Sequence, residues 1–377
     1  MEFTVTHTDM NSHGRIGMIK TSHGDVKTPI FMPVGTVGSV KSVEARNLIN
    51  DIDTEIILGN TYHLYLRPGC DILNRAHGLH NFMNWQKPIL TDSGGFQVYS
   101  LSKIRKITEE GVFFKSHIDG SQHFFSPEKV IDIETSIGAD IIMPLDECTP
   151  FSCGYDYTKE SIKRTHRWLQ RSVNHLKKTR NDHNRHQNLF GIIQGSIFKD
   201  LRKESVDFVT SMDVSGYAIG GVCHTEGNFN GLYDISGYVC SLLPKDKPRY
   251  FMGVGTPKDI LECISLGVDM FDCVMPTRCA RNGRLFTTNG IIQITNKKWE
   301  SDFSCIDSGL DNYVSKNYSK AYLHHLFKNK ELLAYQIASI HNLSFYLWLI
   351  KIARQHIMDN DYVQWKNDIL QVITVRL

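Results

Sequence analysis

Residues 268–290 read VDMFDCVMPTRCARNGRLFTTNG. The stretch opens as a buried strand (Val268, Met270, Phe271) and places a carboxylate, Asp272, where the apolar run gives out. Pro276-Thr277-Arg278 follows, with Arg281 and Arg284 among small and turn-forming residues. Two readings fit this stretch alone. An ionised carboxylate beside arginines suits a nucleophile that attacks a sugar carbon while the arginines hold neighbouring phosphates or read a base edge. A strand-end Asp capping a turn, with Arg278 as its ion-pair partner, fits equally.

Working outward, similar apolar runs end in polar or glycine-rich turns at Pro29–Val34, Glu55–Leu58, Pro88–Leu90, Ala139–Leu145, Leu189–Ile193, Gly216–Ile219 and Arg249–Met252. With Val268–Phe271 they make eight. Helix-like stretches such as Tyr157–Lys178 and Thr256–Leu266, with Pro257 near its start, lie between most of them. Strand and helix alternating eight times predicts an α/β fold, a (β/α)8 barrel, instead of an open doubly wound sheet. Phe3–Val26 reads as an antiparallel hairpin ahead of the barrel, turning at Gly14 and His23-Gly24. An insertion follows the third strand (Ile107–Phe125), with a hairpin turn at His117–Ser121. Another follows the eighth strand, from about Asn282 to Lys316, and helices rich in Leu, Ile and Tyr run on from it. The expectation is a single domain over residues 1–377, in which about 282–345 form an inserted subdomain plus helices.

A chain of 377 residues suits such a barrel with insertions. A hydrophobic content of 41% and a charged content of 22% exclude neither an enzyme nor a binding protein. Net charge is only +2, so nucleic-acid binding would have to come from local patches. The N-terminus lacks a basic segment followed by an apolar core, and Phe345–Ile352 is too short to span a bilayer and contains Lys351. The nine cysteines include no C-x-x-C pair, which argues against a disulfide framework or a local zinc knuckle. These features predict a cytoplasmic protein without membrane contact.

In a barrel of this kind, chemistry belongs at the C-terminal strand ends. Those ends carry Thr91-Asp92-Ser93-Gly94-Gly95-Phe96-Gln97, Asp146-Glu147-Cys148-Thr149-Pro150, Gln194-Gly195-Ser196, Gly220-Gly221, Gly253-Val254-Gly255-Thr256-Pro257 and Asp272. Any one of them reads as a structural turn. Packing alone does not explain their convergence on one mouth.

These motifs carry a resemblance. LTDSGGFQVYSL, DECTP, IIQGS, AIGG, MGVGTP and FDCVMPTR, with NYSKAYLHHLF (Asn317–Phe327) and IHNLSFYL (Ile340–Leu347), resemble the queuine tRNA-ribosyltransferases, or tRNA-guanine transglycosylases, in order and over nearly the whole chain. The likeness is to the bacterial branch. It implies exchange of guanine at the wobble position of tRNAs with a G-U-N anticodon for the queuosine precursor 7-aminomethyl-7-deazaguanine, with queuine as the alternative incoming base. The implied reaction is a double displacement. Asp272 matches the nucleophile that attacks C1′ and forms a ribosyl ester, and an incoming base then displaces it with net retention. With an ordinary Asp pKa it needs no separate base. Asp92 matches the general acid/base. Asp146 can accept from N1–H and the 2-amino group of the base, while Gln194 and the Gly221 backbone N–H donate to O6. Phe96 would stack on the base, and Ser93, Gly94, Gly95 and Gly220 belong to the same pocket. For RNA, Gly253, Val254, Gly255, Thr256, Pro257, Lys258 and Asp259 would follow the backbone, and Thr277, Arg278, Cys279, Ala280 and Arg281 would read neighbouring bases. Lys297, Lys298, Lys103, Arg105 and Lys106 are candidate phosphate contacts, whereas Lys177–Arg180 reads as solvated surface. A homodimer is implied as well.

Two departures stand out. After Gly220-Gly221 the chain carries Val222-Cys223-His224-Thr225-Glu226, where Glu226 matches a family Glu but its neighbours are not the usual small residues. The family also carries C-x-C-x-x-C before the Asn-Tyr-Ser helix, completed by a later His, as a structural zinc site. Here those positions are Leu310, Asn312 and Ser315, with only His341 kept and Cys305 out of register. The site is therefore expected to be lost, leaving no metal or other cofactor, with Leu310 and Tyr313 as candidates for compensating packing. His324 and His325 point about 100° apart on a helix and read as core and surface residues. Two rival functions remain. One is a glycoside or nucleoside hydrolase using Asp92 and Asp272, against which the arginines and Asp146 count. The other is a non-catalytic tRNA-binding subunit, which would have lost its nucleophile.

Overall fold

The computed structural model describes residues 1–101, 105–149, 153–179, 187–222 and 231–377. Eight parallel strands span Ile30–Met32, Ile57–Asn60, Ile89–Asp92, Ile141–Ile142, Asn188–Ile193, Gly216–Ile219, Arg249–Phe251 and Met270–Asp272. Counted along the chain they pair in the order 1-8-7-6-5-4-3-2. The ring closes between the first and second strands, where Val34 bridges Leu58; Leu58 N donates to Pro33 O at 3.0 Å and Gly35 N to Leu58 O at 2.6 Å. Each of the eight predicted runs supplies one strand, and the α/β barrel stands.

Several strands are shorter than their apolar runs. Ala139–Leu145 is buried throughout, yet only Ile141–Ile142 join the ladder. Strands tilt around a barrel axis, so their ends leave the ladder while their side chains stay inside. The helix Pro127–Ile137 begins at Ser126, whose Oγ accepts from Lys129 N at 3.1 Å, and ends at Gly138, whose φ of 76° suits glycine. Helices Tyr155–Thr179 and Pro257–Ser265 lie where the periodicity puts them.

The N-terminal segment is a three-stranded meander (Glu2–Thr8, Arg15–Thr21, Gly24–Thr28), one strand more than a single hairpin. The insertion after the third barrel strand is a second antiparallel sheet, Arg105–Ile107, Val112–Lys115 and Gln122–Phe125. Its inner face, Phe114 and Phe125, packs on Tyr62 and Tyr65. The insertion after the eighth strand holds the hairpin Arg284–Thr287/Gly290–Gln293 and the short helix Tyr313–Asn317. The helix Leu332–Asp359 runs between this insertion, the N-terminal meander and the first barrel strand. Packed on several sides at once, it is buried almost all round from Ile337 to Ile350. One continuous apolar core extends from Ile19 through the barrel to Ile373.

Candidate active site

The strand ends form a cavity of about 420 Å³, lined among others by Asp92, Ser93, Gly94, Phe96, Asp146, Gln194, Gly221, Tyr250, Gly253, Asp272 and Arg278. Asp92 ends the third strand and is 9% exposed. Its Oδ1 accepts from Thr61 N at 3.0 Å and Gly94 N at 3.2 Å; its Oδ2 accepts from Gln97 Nε2 at 2.9 Å and from Asn60 Nδ2. Burial pushes this carboxyl up from 3.8 to about 6, and the four donors hold it from rising further. Behind it, Glu134 is fully buried with Oε2 bonded to Thr91 Oγ1, and burial raises its pKa well above the usual range.

Asp272 ends the eighth strand beside the seventh, in register with Met32. Tyr250 OH donates to its Oδ1 at 2.6 Å and Gly253 N does so at 2.8 Å. Burial raises its pKa, and those two bonds oppose the rise. Its partners are a phenol and a backbone amide; among the described residues it forms no ion pair with Arg278. The turn-capping reading gives way to an oriented carboxylate at the cavity.

Asp146 receives Ser93 Oγ on Oδ1 at 3.0 Å and Gln194 Nε2 on Oδ2 at 2.7 Å, and burial raises its pKa. Gln194 thus spends one amide hydrogen on Asp146, where the sequence reading had it serving O6 of a base. The glycines here have a reason beyond ligand approach. A Cβ on Gly95 would lie 2.9 Å from Asp146 Oδ1, and one on Gly221 would lie 2.3 Å from Gln194 Oε1. They let the Asp146 and Gln194 side chains pack against backbone. Phe96 lines the cavity at 39% exposure.

The segment after Asp272 is the helix Met275–Arg281. Thr277 and Ala280 point into the protein and are 5% and 0% exposed, so their side chains cannot read bases. Arg278 and Arg281 remain exposed, and Arg278 and Cys279 line an adjoining cavity of about 360 Å³ with Arg284 and Asn282. In the preceding loop Val254, Gly255 and Pro257 are buried, while Gly253 and Lys258 are exposed. Thr256 caps the next helix, its Oγ accepting from Asp259 N at 3.0 Å, and the Asp259 carboxylate is held by Thr256 and by Tyr233 OH at 2.6 Å. These two serve the helix start instead of a phosphate. Arg105 leans on Tyr99, its Nη1 2.6 Å from Tyr99 O. Lys297 and Lys298 lie on an exposed 3-10 turn. Lys103, Pro150, Arg180 and Cys223, His224, Thr225 and Glu226 lie outside the described residues.

The segment Ile340–Leu347 holds all this from behind. Asn342 Nδ2 donates to Pro276 O and to Arg284 O, both at 2.9 Å, and Tyr346 OH donates to Gly255 O at 2.6 Å. Sequence reading passed over Asn60, Glu134 and Tyr250. Asn60 follows Gly59 at the end of the second strand, Glu134 lies on a helix, and Tyr250 falls inside an apolar run, so no local pattern marks them. At the opposite end of the barrel, His23 Nδ1 and His80 Nε2 reach separate oxygens of Asp140 at 2.8 and 3.2 Å. Their rings stack 3.6 Å apart at 13°, and two parallel ring planes cannot both contain one ion, so this is a hydrogen-bonded cluster and not a metal centre.

Comparison with known proteins gives the family. The profile of the family described as "Queuine tRNA-ribosyltransferase" matches residues 9–374. Proteins of that name are 50% identical in Halothermothrix orenii (98% of this chain, 97% of the relative) and 50% identical in Caldanaerobacter subterraneus subsp. tengcongensis (98% and 97%). The one from Aquifex aeolicus is 48% identical over 96% of this chain and 97% of its own length. With a barrel mouth bearing Asp92, Asp146 and Asp272 and similarity along its whole length, the chain belongs to the queuine tRNA-ribosyltransferase family.

Proposed function

We propose that this enzyme exchanges guanine at the wobble position of G-U-N anticodon tRNAs for 7-aminomethyl-7-deazaguanine, as a cytoplasmic homodimer. The observation that carries the reading is the convergence of Asp92, Asp146 and Asp272 on one cavity. Both bonds to Asp272 fall on Oδ1, which leaves Oδ2 as the oxygen for a new bond to carbon. In the first step Asp272 attacks C1′ as the C1′–N9 bond breaks, and Asp92 gives its proton to N9 of the departing guanine. In the second step N9 of the incoming base attacks C1′, its proton passes to Asp92, and the C1′–O bond breaks to free Asp272. A carboxyl near pKa 6 supports both halves, because its two forms are both accessible near neutrality.

Asp146 would accept the N1–H and 2-amino hydrogens of the base, with Phe96 against its face. The exposed Arg278 and Arg281 suit contacts to adjacent nucleotides, and Gly253 with Lys258 suits the phosphate path. The test is incubation with tRNA and radiolabelled guanine, followed by competition with 7-aminomethyl-7-deazaguanine and with queuine. Label should enter tRNA and the aminomethyl base should compete better. Release of guanine without incorporation would instead identify a hydrolase, and tight tRNA binding without either would identify a binding subunit. Stronger competition by queuine would change the substrate and leave the mechanism.

A further inference from the structure

In the insertion after the eighth strand the family resemblance implies a tetrahedral zinc, and the residues here do not fit one. Leu310 is 1% exposed and has no donor atom. Asn312 Oδ1 is spent on Ser315 N at 3.0 Å, capping the helix Tyr313–Asn317, and its Nδ2 is buried without a partner. Both His341 nitrogens are engaged, Nδ1 with Ser315 Oγ at 2.8 Å and Nε2 with Phe286 O at 2.9 Å. A carbonyl only accepts, so Nε2 carries the hydrogen and Nδ1 accepts the Ser315 hydroxyl. Asp307, the nearest carboxylate to consider, is committed to Thr288 N at 2.7 Å, Thr288 Oγ1 at 2.8 Å and Gly309 N at 2.9 Å. Cys305 sits in a backbone bridge to Ser319. No three His, Cys, Asp or Glu groups converge near His341 among the described residues.

We infer that this insertion has exchanged its metal for a buried hydrogen-bond chain, Ser315–His341–Phe286 O, with Leu310 filling the remaining space on an otherwise metal-site backbone. The chain links the same parts that a zinc would link. Ser315 belongs to the short helix, Phe286 to the inserted hairpin and His341 to the long helix, whose Asn342 also braces the segment after Asp272 at Pro276 O. Tyr313 takes no part, being 61% exposed, contrary to the packing role expected for it. The inference rests on family membership and not on the exchange reaction, so either can fail alone.

The test has three arms. Metal analysis of protein purified without chelator should find far less than one zinc per chain, and a chelator should leave the melting temperature unchanged. Ser315→Ala, which strands His341 Nδ1, should lower the melting temperature by a few degrees without any change in metal content. The triple variant Leu310→Cys, Asn312→Cys, Ser315→Cys should take up about one zinc, become chelator-sensitive, and show the visible bands of a tetrahedral thiolate site with Co²⁺. Stoichiometric zinc in the natural chain, lost to a chelator together with folding, would overturn the inference. So would a folded triple variant that binds no metal, because the backbone frame would then not be that of a metal site.

Discussion

Asp272, Asp92 and Asp146 share a residue type and a buried setting but differ in what touches them, and the roles proposed for them follow from that. Asp272 has two donors on one oxygen and a free second oxygen for carbon. Replacing it with Asn should abolish exchange and any covalent RNA adduct on a denaturing gel while leaving the fold intact; near-normal turnover would rule out an ester intermediate, since an amide cannot form one. Asp146→Asn turns an acceptor into a donor facing the donors of Ser93, Gln194 and the base. It should weaken base binding by roughly 2–4 kcal/mol, read as a raised guanine KM, and equal values would show that Asp146 does not touch the base. The pH profile follows from burial. The second half-reaction needs Asp92 ionised to take the proton of the incoming base, while Asp272 is held as the ribosyl ester, and burial raises Asp92 from the ordinary 3.8 to about 6. Protonation therefore sets in as pH falls through about 6, and the rate with free base should decline there. An acid limb near pH 4 would mean that Asp92 is not perturbed in the working enzyme.

At the scale of elements, the site is placed by parts that hold no catalytic group. Arg15, in the N-terminal meander, forms a fork onto Asp269 with Nε at 2.9 Å and Nη2 at 2.7 Å, and its Nη1 reaches Lys245 O at 2.6 Å. Asp269 also accepts from Arg249 N at 2.7 Å, so one buried ion pair ties the meander to the seventh and eighth strands beneath Asp272. Truncating one partner strands the other charge in an apolar setting. Arg15→Met should cost about 3–5 kcal/mol in denaturant unfolding, with Asp269→Asn in the double variant restoring part of it. A loss below about 1 kcal/mol would show that water reaches Asp269. The insertions and the long helix divide labour in a similar way. The helix Leu332–Asp359 braces the Asp272 loop, and the sheet Arg105–Phe125 walls the Asp92 side through Phe114 and Phe125.

For the whole molecule, the continuous core from Ile19 to Ile373 predicts that the insertion unfolds with the barrel. Calorimetric and van't Hoff enthalpies should agree for a single transition, and a separate early transition would make residues 282–345 an independent unit. Much of this was legible along the chain. Eight apolar runs marked eight strands, because a parallel strand buried on both faces must be apolar end to end. Each run stopped in a polar turn at the mouth, so Asp92, Asp146, Gln194, Gly221 and Asp272 could be named before any contact was known. Asn60 and Tyr250 were not so legible. Their roles depend on which side chains meet across the ring, and Asn60 and Asp92 stand on different strands, as do Tyr250 and Asp272. The resemblance also made Thr277 and Ala280 look like base readers, whereas helix period and the packing of Asn342 turn them inward. The sequence by itself determined the barrel and the identity of its acidic mouth, since burial and polarity are written residue by residue. Only the tertiary structure decided the partner of each carboxylate, and with it the pKa and the oxygen left to react, because hydrogen bonds join residues that lie far apart in the chain.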